Sequence, residues 1–424
     1  MSRILIEIHE GQIVRNLLEN GLLRLLTAGG NQVLLVTPGA RYPAFVERFS
    51  LPGVELRDLN LIFRAKLSRS ENYEGALGKW LNRKGYHGLR RELWRRVGQP
   101  SAASHAAEAA LIDEWKPDVV VSTHLSQIYG RGLVAAARQR GIPTVGNLNS
   151  WDNAWKGLRI FPDTVTCWSD NNREELVRLN GLNPDQVRVI GAPAFDAYLA
   201  PDAQWSRADL CQRLGLEQNR PILLFATLGQ FSQQIDETNP LEVLLRAVDA
   251  GSIPGRPQII LRMHPWSRDS YFAPFMRHEA VIVSRYENYV PGLGWSPTRD
   301  EAILAGNLLR HADVVISPGS TMSIEPALFD TPTVVPVFNE YMPEVFEDYF
   351  EQTWIKQHFS RLYQNDWLPI VRSGAEMVAA INHALSDKTW YHQGREHIRE
   401  AILGSLDGKA TERFAAVIVE ACKP

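Results

Sequence analysis

The sequence predicts an α/β fold in two halves, each a parallel sheet with crossover helices, facing one another across a cleft. Three observations predict it. Apolar runs of strand length alternate with stretches of helical spacing along the chain. The alternation pauses in the polar, turn-rich stretch Pro201 to Arg207 and then restarts. At 424 residues the chain is also too long for one ordinary core. The expected domains are residues 1–200, residues 201–405, and a last helix, residues 406–424, that packs back on the first domain.

Composition excludes several classes. With 45% hydrophobic and 22% charged residues the chain reads as globular, and a net charge of -3 gives no bias toward nucleic acid. Cys167, Cys211 and Cys422 are scattered, with neither metal spacing nor an even count for a disulfide framework. The first residues lack a signal-peptide pattern, and no apolar run approaches the roughly 20 residues that cross a bilayer. A cytoplasmic location is therefore expected.

Arg3 to Ile8 reads as the first strand, His9-Glu10-Gly11 as its turn, Gln12 to Leu26 as a helix, and Gln32 to Val36 as the next strand. Strand, helix and strand in so short a span make a βαβ unit, which implies parallel strands. The turn has no GxGxxG, so the dinucleotide fingerprint is missing. Residues 61–97 hold ten lysines and arginines against three acids, with tryptophans and leucines between them. They read either as a solvated helical face or, through residues 79–96, as a peripheral contact with anionic lipid at the inner face of the cell membrane. Ala102 to Trp115 is an expected helix and Asp118 to Ser122 a strand ending in Thr123-His124. Leu125 to Arg140 is an expected helix, and Thr144 to Leu148 a strand followed by the polar cluster Asn149-Ser150-Trp151-Asp152-Asn153. Such clusters at strand ends often form sites. Asp163 to Trp168, Asp170 to Leu179 and Val187 to Ile190 complete the half as strand, helix and strand.

The second half repeats the pattern. Pro221 to Ala226 is a strand that turns at Thr227-Leu228-Gly229-Gln230, and Gln258 to Arg262 one that turns at Met263-His264-Pro265. Val314 to Ile316 is a strand that turns at Ser317-Pro318-Gly319, after which Ser320 to Phe329 has helical spacing. Helices are also expected over Asp300 to Arg310, Glu344 to Phe359, Gly374 to Leu385, Trp390 to Ile402 and Gly408 to Cys422. Turns at the C-terminal ends of parallel strands are where open α/β sheets bind ligands. At a helix start, Ser320 and Thr321 suit either a plain N-cap or a bound phosphate. Glu325, one turn on, suits two ribose hydroxyls. Arg262, His264 and the helix end would meet the charge of a phosphate leaving group.

On these residues the second half resembles the donor domain of glycosyltransferases built from two Rossmann-like domains (GT-B). The His264-Pro265 and Ser320-Thr321 pairs resemble the HP and ST motifs of bacterial sialyltransferases and Kdo transferases, and similar pairs occur in CDP-glycerol polymerases. The segment around Glu325 is similar to the ribose-holding segment of that fold and of nucleotide-sugar 2-epimerases. His9-Glu10-Gly11 resembles the acidic-acidic-glycine motif that supplies the general base in the sialyltransferases, with histidine in place of the first acid. Ser150-Trp151-Asp152-Asn153 and the segment Arg188 to Asp196 resemble transferases of surface-polysaccharide biosynthesis.

The resemblance implies sugar transfer from a nucleotide sugar, cytidine-linked by preference, to a glycan or lipid-linked acceptor. It implies neither a cofactor beyond that co-substrate nor a metal. The base is Glu10 or His9, with His124 and Asp152 as alternatives at other strand ends. Gly229, Gln230, Arg262, His264, Pro265, Gly319, Ser320, Thr321 and Glu325 would hold the donor. Three other functions remain: a CDP-polyol phosphotransferase, a nucleotide-sugar 2-epimerase, and a non-catalytic nucleotide-sugar-binding subunit. Against the epimerase, His124 stands where those enzymes have an acid, and Leu228-Gly229-Gln230 where they have a histidine-arginine turn.

Overall fold

Runs of valine, isoleucine and leucine buried on both faces give each sheet its strands. The computed structural model describes residues 1–58, 77, 80–81, 84, 86, 89, 106–127, 129–229, 236–356 and 358–423. Gln230 and Arg90, Arg91, Arg95 and Arg96 of the basic stretch lie outside the described residues. The chain forms two units. Unit 1 comprises Met1–Ala197, Asn288–Arg299 and Ile402–Pro424, and unit 2 comprises Tyr198–Glu287 and Asp300–Ala401.

The sheet of unit 1 contains β1 (Arg3–Glu7), β2 (Gln32–Val36), β3 (Val54–Arg57), β4 (Val119–Ser122), β5 (Thr144–Asn147), β6 (Thr164–Cys167) and β7 (Val187–Val189). Their order is β3-β2-β1-β4-β5-β6-β7, and every pairing is parallel. The chain leaves β1 toward one edge and returns to β4 on the other side, so the topological switch point lies between β1 and β4. Alternation along β1 puts Ile4, Ile6 and Ile8 in one core layer and Leu5 in the other. The last helix, Ala410–Ala421, buries Phe414, Ala415 and Ile418 in the Ile4 layer.

The sheet of unit 2 contains β8 (Ile222–Ala226), β9 (Gln258–Arg262), β10 (Val281–Ser284), β13 (Val314–Ile316), β14 (Thr333–Pro336) and β15 (Ile370–Val371). Its order is β10-β9-β8-β13-β14-β15, also parallel throughout, with its switch point between β8 and β13. Between β10 and the helix Arg299–His311 the chain departs into unit 1 as an antiparallel hairpin, β11 (Tyr289–Val290) and β12 (Gly294–Trp295). The hairpin seats on Gly11. The Gly11 N–H donates to the Leu293 carbonyl at 2.9 Å, and a Cβ at residue 11 would lie 2.0 Å from the Trp295 carbonyl oxygen.

Several expected helices are interrupted. Gln12 to Leu26 is a short turn, a π-helical turn over Val14–Leu18, and then a helix over Leu22–Ala28. The break is local: Gly21 has φ +83, and Asn20 donates to the Asn16 and Pro193 carbonyls. Leu125 to Arg140 shortens to Arg131–Arg138, because the Leu125 carbonyl is taken by the N–H groups of Arg159 and Ile160. Glu344 to Phe359 is an α-helix over Pro343–Phe350 followed by a π-helical turn over Glu351–Ile355. The strands β3, β10 and β15 give little sequence signal because they lie at sheet edges and are only partly buried.

Candidate active site

In unit 1 the turns after β1, β4 and β5 share one sheet edge, since the strands are adjacent and parallel. Glu7 ends β1 on the face of Leu5 and is buried. Its Oε1 accepts from Ser122 Oγ at 2.8 Å and from the Thr123 N–H at 3.1 Å, while Thr123 Oγ1 donates to the Glu7 carbonyl. Its Oε2 lies 3.2 Å from His9 Nε2. His9 is 7% exposed and stacks on Tyr129 with ring centroids 5.1 Å apart. Burial pushes the Glu7 carboxyl up to about 8, against the hydrogen bonds from Ser122 and Thr123, and the Glu10 charge pushes the same way.

Glu10 and His124 form a second pair, with Oε2 to Nδ1 at 3.0 Å. The structure thus brings together three of the four expected bases, His9, Glu10 and His124, at the switch point. Asp152 is engaged elsewhere: it pairs with Lys156 one turn on and accepts from Asn153 Nδ2. Its loop joins the edge through Asn149, whose Oδ1 accepts from Asn16 Nδ2 at 2.9 Å. Glu7 was missed by sequence reasoning, which absorbed it into the strand. Its signal is a carboxylate inside the apolar run Ile4 to Ile8.

In unit 2 the turns after β9, β8 and β13 meet at a sheet edge in the same way. Thr227 Oγ1 accepts from the His264 N–H at 2.7 Å and bonds Ser267 Oγ at 2.7 Å, which ties two of the turns together. Gly229 has φ +76, and a Cβ there would lie 2.3 Å from His264 Nδ1, so only glycine allows this approach. His264 Nδ1 accepts from the Trp266 N–H at 3.2 Å, which leaves the neutral ring's proton on Nε2. Burial drives this imidazole down to about 4, so at neutral pH it is an uncharged group and not a cation.

Two expectations change. The loop 227–229 does not hold its amides open for a phosphate. The buried Glu237 accepts from the Leu228 N–H at 2.5 Å and from the Gly229 amide, and burial holds its carboxyl at about 8. Ser320 to Phe329 is not an α-helix but two 3-10 segments, Thr321–Ser323 and Glu325–Phe329. Pro326 is the reason: it lacks an N–H for the helical ladder and disfavours the helical conformation at Glu325. There is accordingly no long helix dipole at Ser320. Its hydroxyl accepts from the Met322 N–H and bonds Ser317 Oγ, both at 3.1 Å, and Ser323 Oγ closes the capping box. Gly319, at φ +119, packs under Tyr349, whose hydroxyl donates to the Pro318 carbonyl.

The remaining expected donor residues lie around these turns. Pro265 and Thr321 are half-buried at the edge, and Glu325 is buried at the head of the second 3-10 segment. Arg262 turns toward the flank: its Nη1 donates to Ser284 Oγ at 2.8 Å, and its guanidinium lies 3.6 Å over the Tyr286 ring. Among the described residues no helix is long and apolar enough to cross a membrane.

Residues 21–193 match the family model described as Glycosyltransferase Family 4. No curated protein sequence matches the chain. Among solved structures, UDP-GlcNAc 2-epimerase from Neisseria meningitidis, bound to UDP-GlcNAc, is similar at TM-score 0.57 and 11% identity, over 99% of this chain and 98% of that one. A glycosyltransferase from Rickettsia africae is similar at TM-score 0.52 and 11% identity, over 99% of each chain. The wall teichoic acid polymerase TagF, as its H444N variant, is similar at TM-score 0.54 and 10% identity, over 99% of this chain and 89% of that one. The fold is the two-domain α/β arrangement of the GT-B class. The glycosyltransferase segment and this fold together mark an enzyme of sugar transfer or nucleotide-sugar processing.

Proposed function

We propose that the protein moves a sugar from a nucleotide-activated donor to a hydroxyl of a glycan or lipid-linked acceptor, without a metal ion. The observation that carries this reading is the chemistry at the two switch points. Unit 1 gathers carboxyl–imidazole pairs there, and unit 2 gathers a half-buried imidazole with glycine and hydroxyl turns. The pairs of unit 1 suit removal of the acceptor's proton. The acceptor oxygen then bonds to the anomeric carbon, and the bond from that carbon to the donor phosphate breaks, its electrons leaving with the phosphate. His264, neutral with its proton on Nε2, suits hydrogen bonding to that phosphate. Gly229, Pro265, Gly319, Ser320 and Thr321 would surround it, and Glu325 would take the ribose.

The HP and ST pairs favour a cytidine-linked donor. A second reading, processing of a uridine-linked sugar, is favoured by the likeness to an epimerase with bound UDP-GlcNAc over nearly the whole chain. Thermal shift against CMP, CDP, UMP, UDP, GDP and their sugars, with EDTA present, tests both. A ligand at 100 times its dissociation constant adds about 2.7 kcal/mol to the native state, which is readily seen. Stabilisation by cytidine nucleotides alone supports the first reading. Stabilisation by UDP-GlcNAc, with its sugar converted in the absence of acceptor, replaces transfer by epimerisation. Silence across the panel removes both.

A further inference from the structure

We infer that a groove along β15, at the edge of unit 2, binds a chain of neutral or amino sugars; that this chain belongs to the acceptor rests on the transferase reading above. The groove holds about 400 Å3, within the roughly 300–1,000 Å3 usual for ligand sites. β15 ends the sheet of unit 2. Residues 366–369 lead into it, so they lie at the sheet edge opposite the donor turns. Lys388 donates to the carbonyl of Asp313, which leads into β13, and this brings Trp390 and Tyr391 to that same edge. Glu376, in the first turn of the helix Gly374–Ser386 that follows β15, stands toward the other end. The groove thus runs the length of the edge strand, apart from the turns that carry Gly229, His264 and Ser320.

Its lining has the chemistry of a sugar site. The buried Leu368, Val371 and Ala380 give it apolar surface. Trp390 stacks on His383 with ring centroids 4.7 Å apart, and Tyr391 meets Trp390 edge-on at 4.9 Å. Tyr363 stands at the groove 41% exposed. Such rings offer flat apolar faces together with polar tips, which matches the apolar faces and hydroxyl rims of sugar rings. Asp366 and Glu376 add acceptors for those hydroxyls. Two of the residues are held against their backbone preference: Asp366 has φ +54 and Tyr391 φ +60, and the Tyr391 hydroxyl donates to Asp366 Oδ1 at 2.8 Å. Strain of this kind gathers at ligand clamps. Charge selects the occupant. Among the described residues the lining holds two acids and no lysine or arginine. The nearby cations are engaged elsewhere, Arg372 with Glu347 and Arg361 over the Trp367 ring. A nucleotide or other anionic ligand is therefore disfavoured, and neutral or amino sugars fit. An extended peptide would find only a two-residue strand to pair with.

The test is titration calorimetry of the full chain with the trimers of glucose, N-acetylglucosamine, glucosamine and galacturonic acid. The expected result is binding of a neutral or amino trimer and none of the galacturonic acid trimer. Y363A, at an exposed ring, and W390A should each weaken that binding at least tenfold. The melt of Y363A and its stabilisation by nucleotides should stay as in the wild type. Absence of binding by every trimer overturns the inference, as does preference for the acidic one or binding unchanged in both variants. Loss of the nucleotide response in Y363A would give the groove to the donor and overturns it too. A wild type that binds a trimer through these residues but answers to no nucleotide supports the groove and sinks the transferase reading. A nucleotide response without trimer binding does the reverse.

Discussion

At the residue scale, His264 shows how neighbours set a side chain's role. A histidine before proline at a strand end reads from sequence as a cation waiting for phosphate. In the fold it lies under Gly229, accepts from the Trp266 N–H, and is kept neutral by burial. What remains is an N–H donor that stays uncharged at neutral pH. We predict that H264A lowers turnover by about 10²–10³-fold, the usual effect of removing a donor at a leaving oxygen. Its stability should fall by only about 0.5–1.5 kcal/mol, the net value of one hydrogen bond. Turnover beside a thermal melt checks it, and a protein that loses its melting transition while keeping specific activity would show a structural histidine. Position 264 stands out in the sequence as a candidate because His-Pro is a rare local signal. Glu7 does not, because its partners Ser122 and Thr123 lie more than 110 positions away.

At the scale of elements, strands buried on both faces were the most readable. Gln258–Arg262 and Val314–Ile316 fall where their apolar runs place them. Pattern failed where a local bond or a single residue overrides spacing. Pro326 turns an expected helix into 3-10 segments, and Asn20 with Gly21 breaks the first helix. The hairpin β11–β12 escaped altogether, since two-residue strands carry no period. Its seat on Gly11 is nevertheless specific, with backbone against backbone. We predict that G11A destabilises unit 1 by about 1–3 kcal/mol, the cost of overpacking a closed contact. Calorimetry would show the lower transition, and an unshifted melt would place the hairpin elsewhere.

At the scale of the whole molecule, each unit encloses a carboxyl that stays protonated far above its ordinary range, Glu7 in unit 1 and Glu237 in unit 2. The sign follows directly. From the unfolded value of 4.5 up to about 8, the native state keeps a proton that the unfolded chain has lost. Stability from these groups is therefore complete below pH 4.5 and falls as the pH rises toward 8. Asp407, held to about 2 by Arg413, acts oppositely, and its contribution is lost only as the pH falls through that lower range. Melting temperatures should decline from pH 5 to pH 8, and E7Q and E237Q should each flatten the decline. A flat wild-type profile would show both carboxyls ionised without cost.

The sequence by itself determined the two-fold alternation of strand and helix, the restart near residue 200, and the turns that carry His9, His124, Gly229, His264 and Gly319. These follow from periodicity and from residues that break it, both local properties of the chain. Tertiary structure alone decided that residues 288–299 belong with unit 1 and that the Glu7 carboxyl lies beside His9. It also decided that Glu237 occupies the amides of the Leu228 loop. These are pairings between residues distant in sequence. Burial and strand order create them, and no single segment carries a record of either.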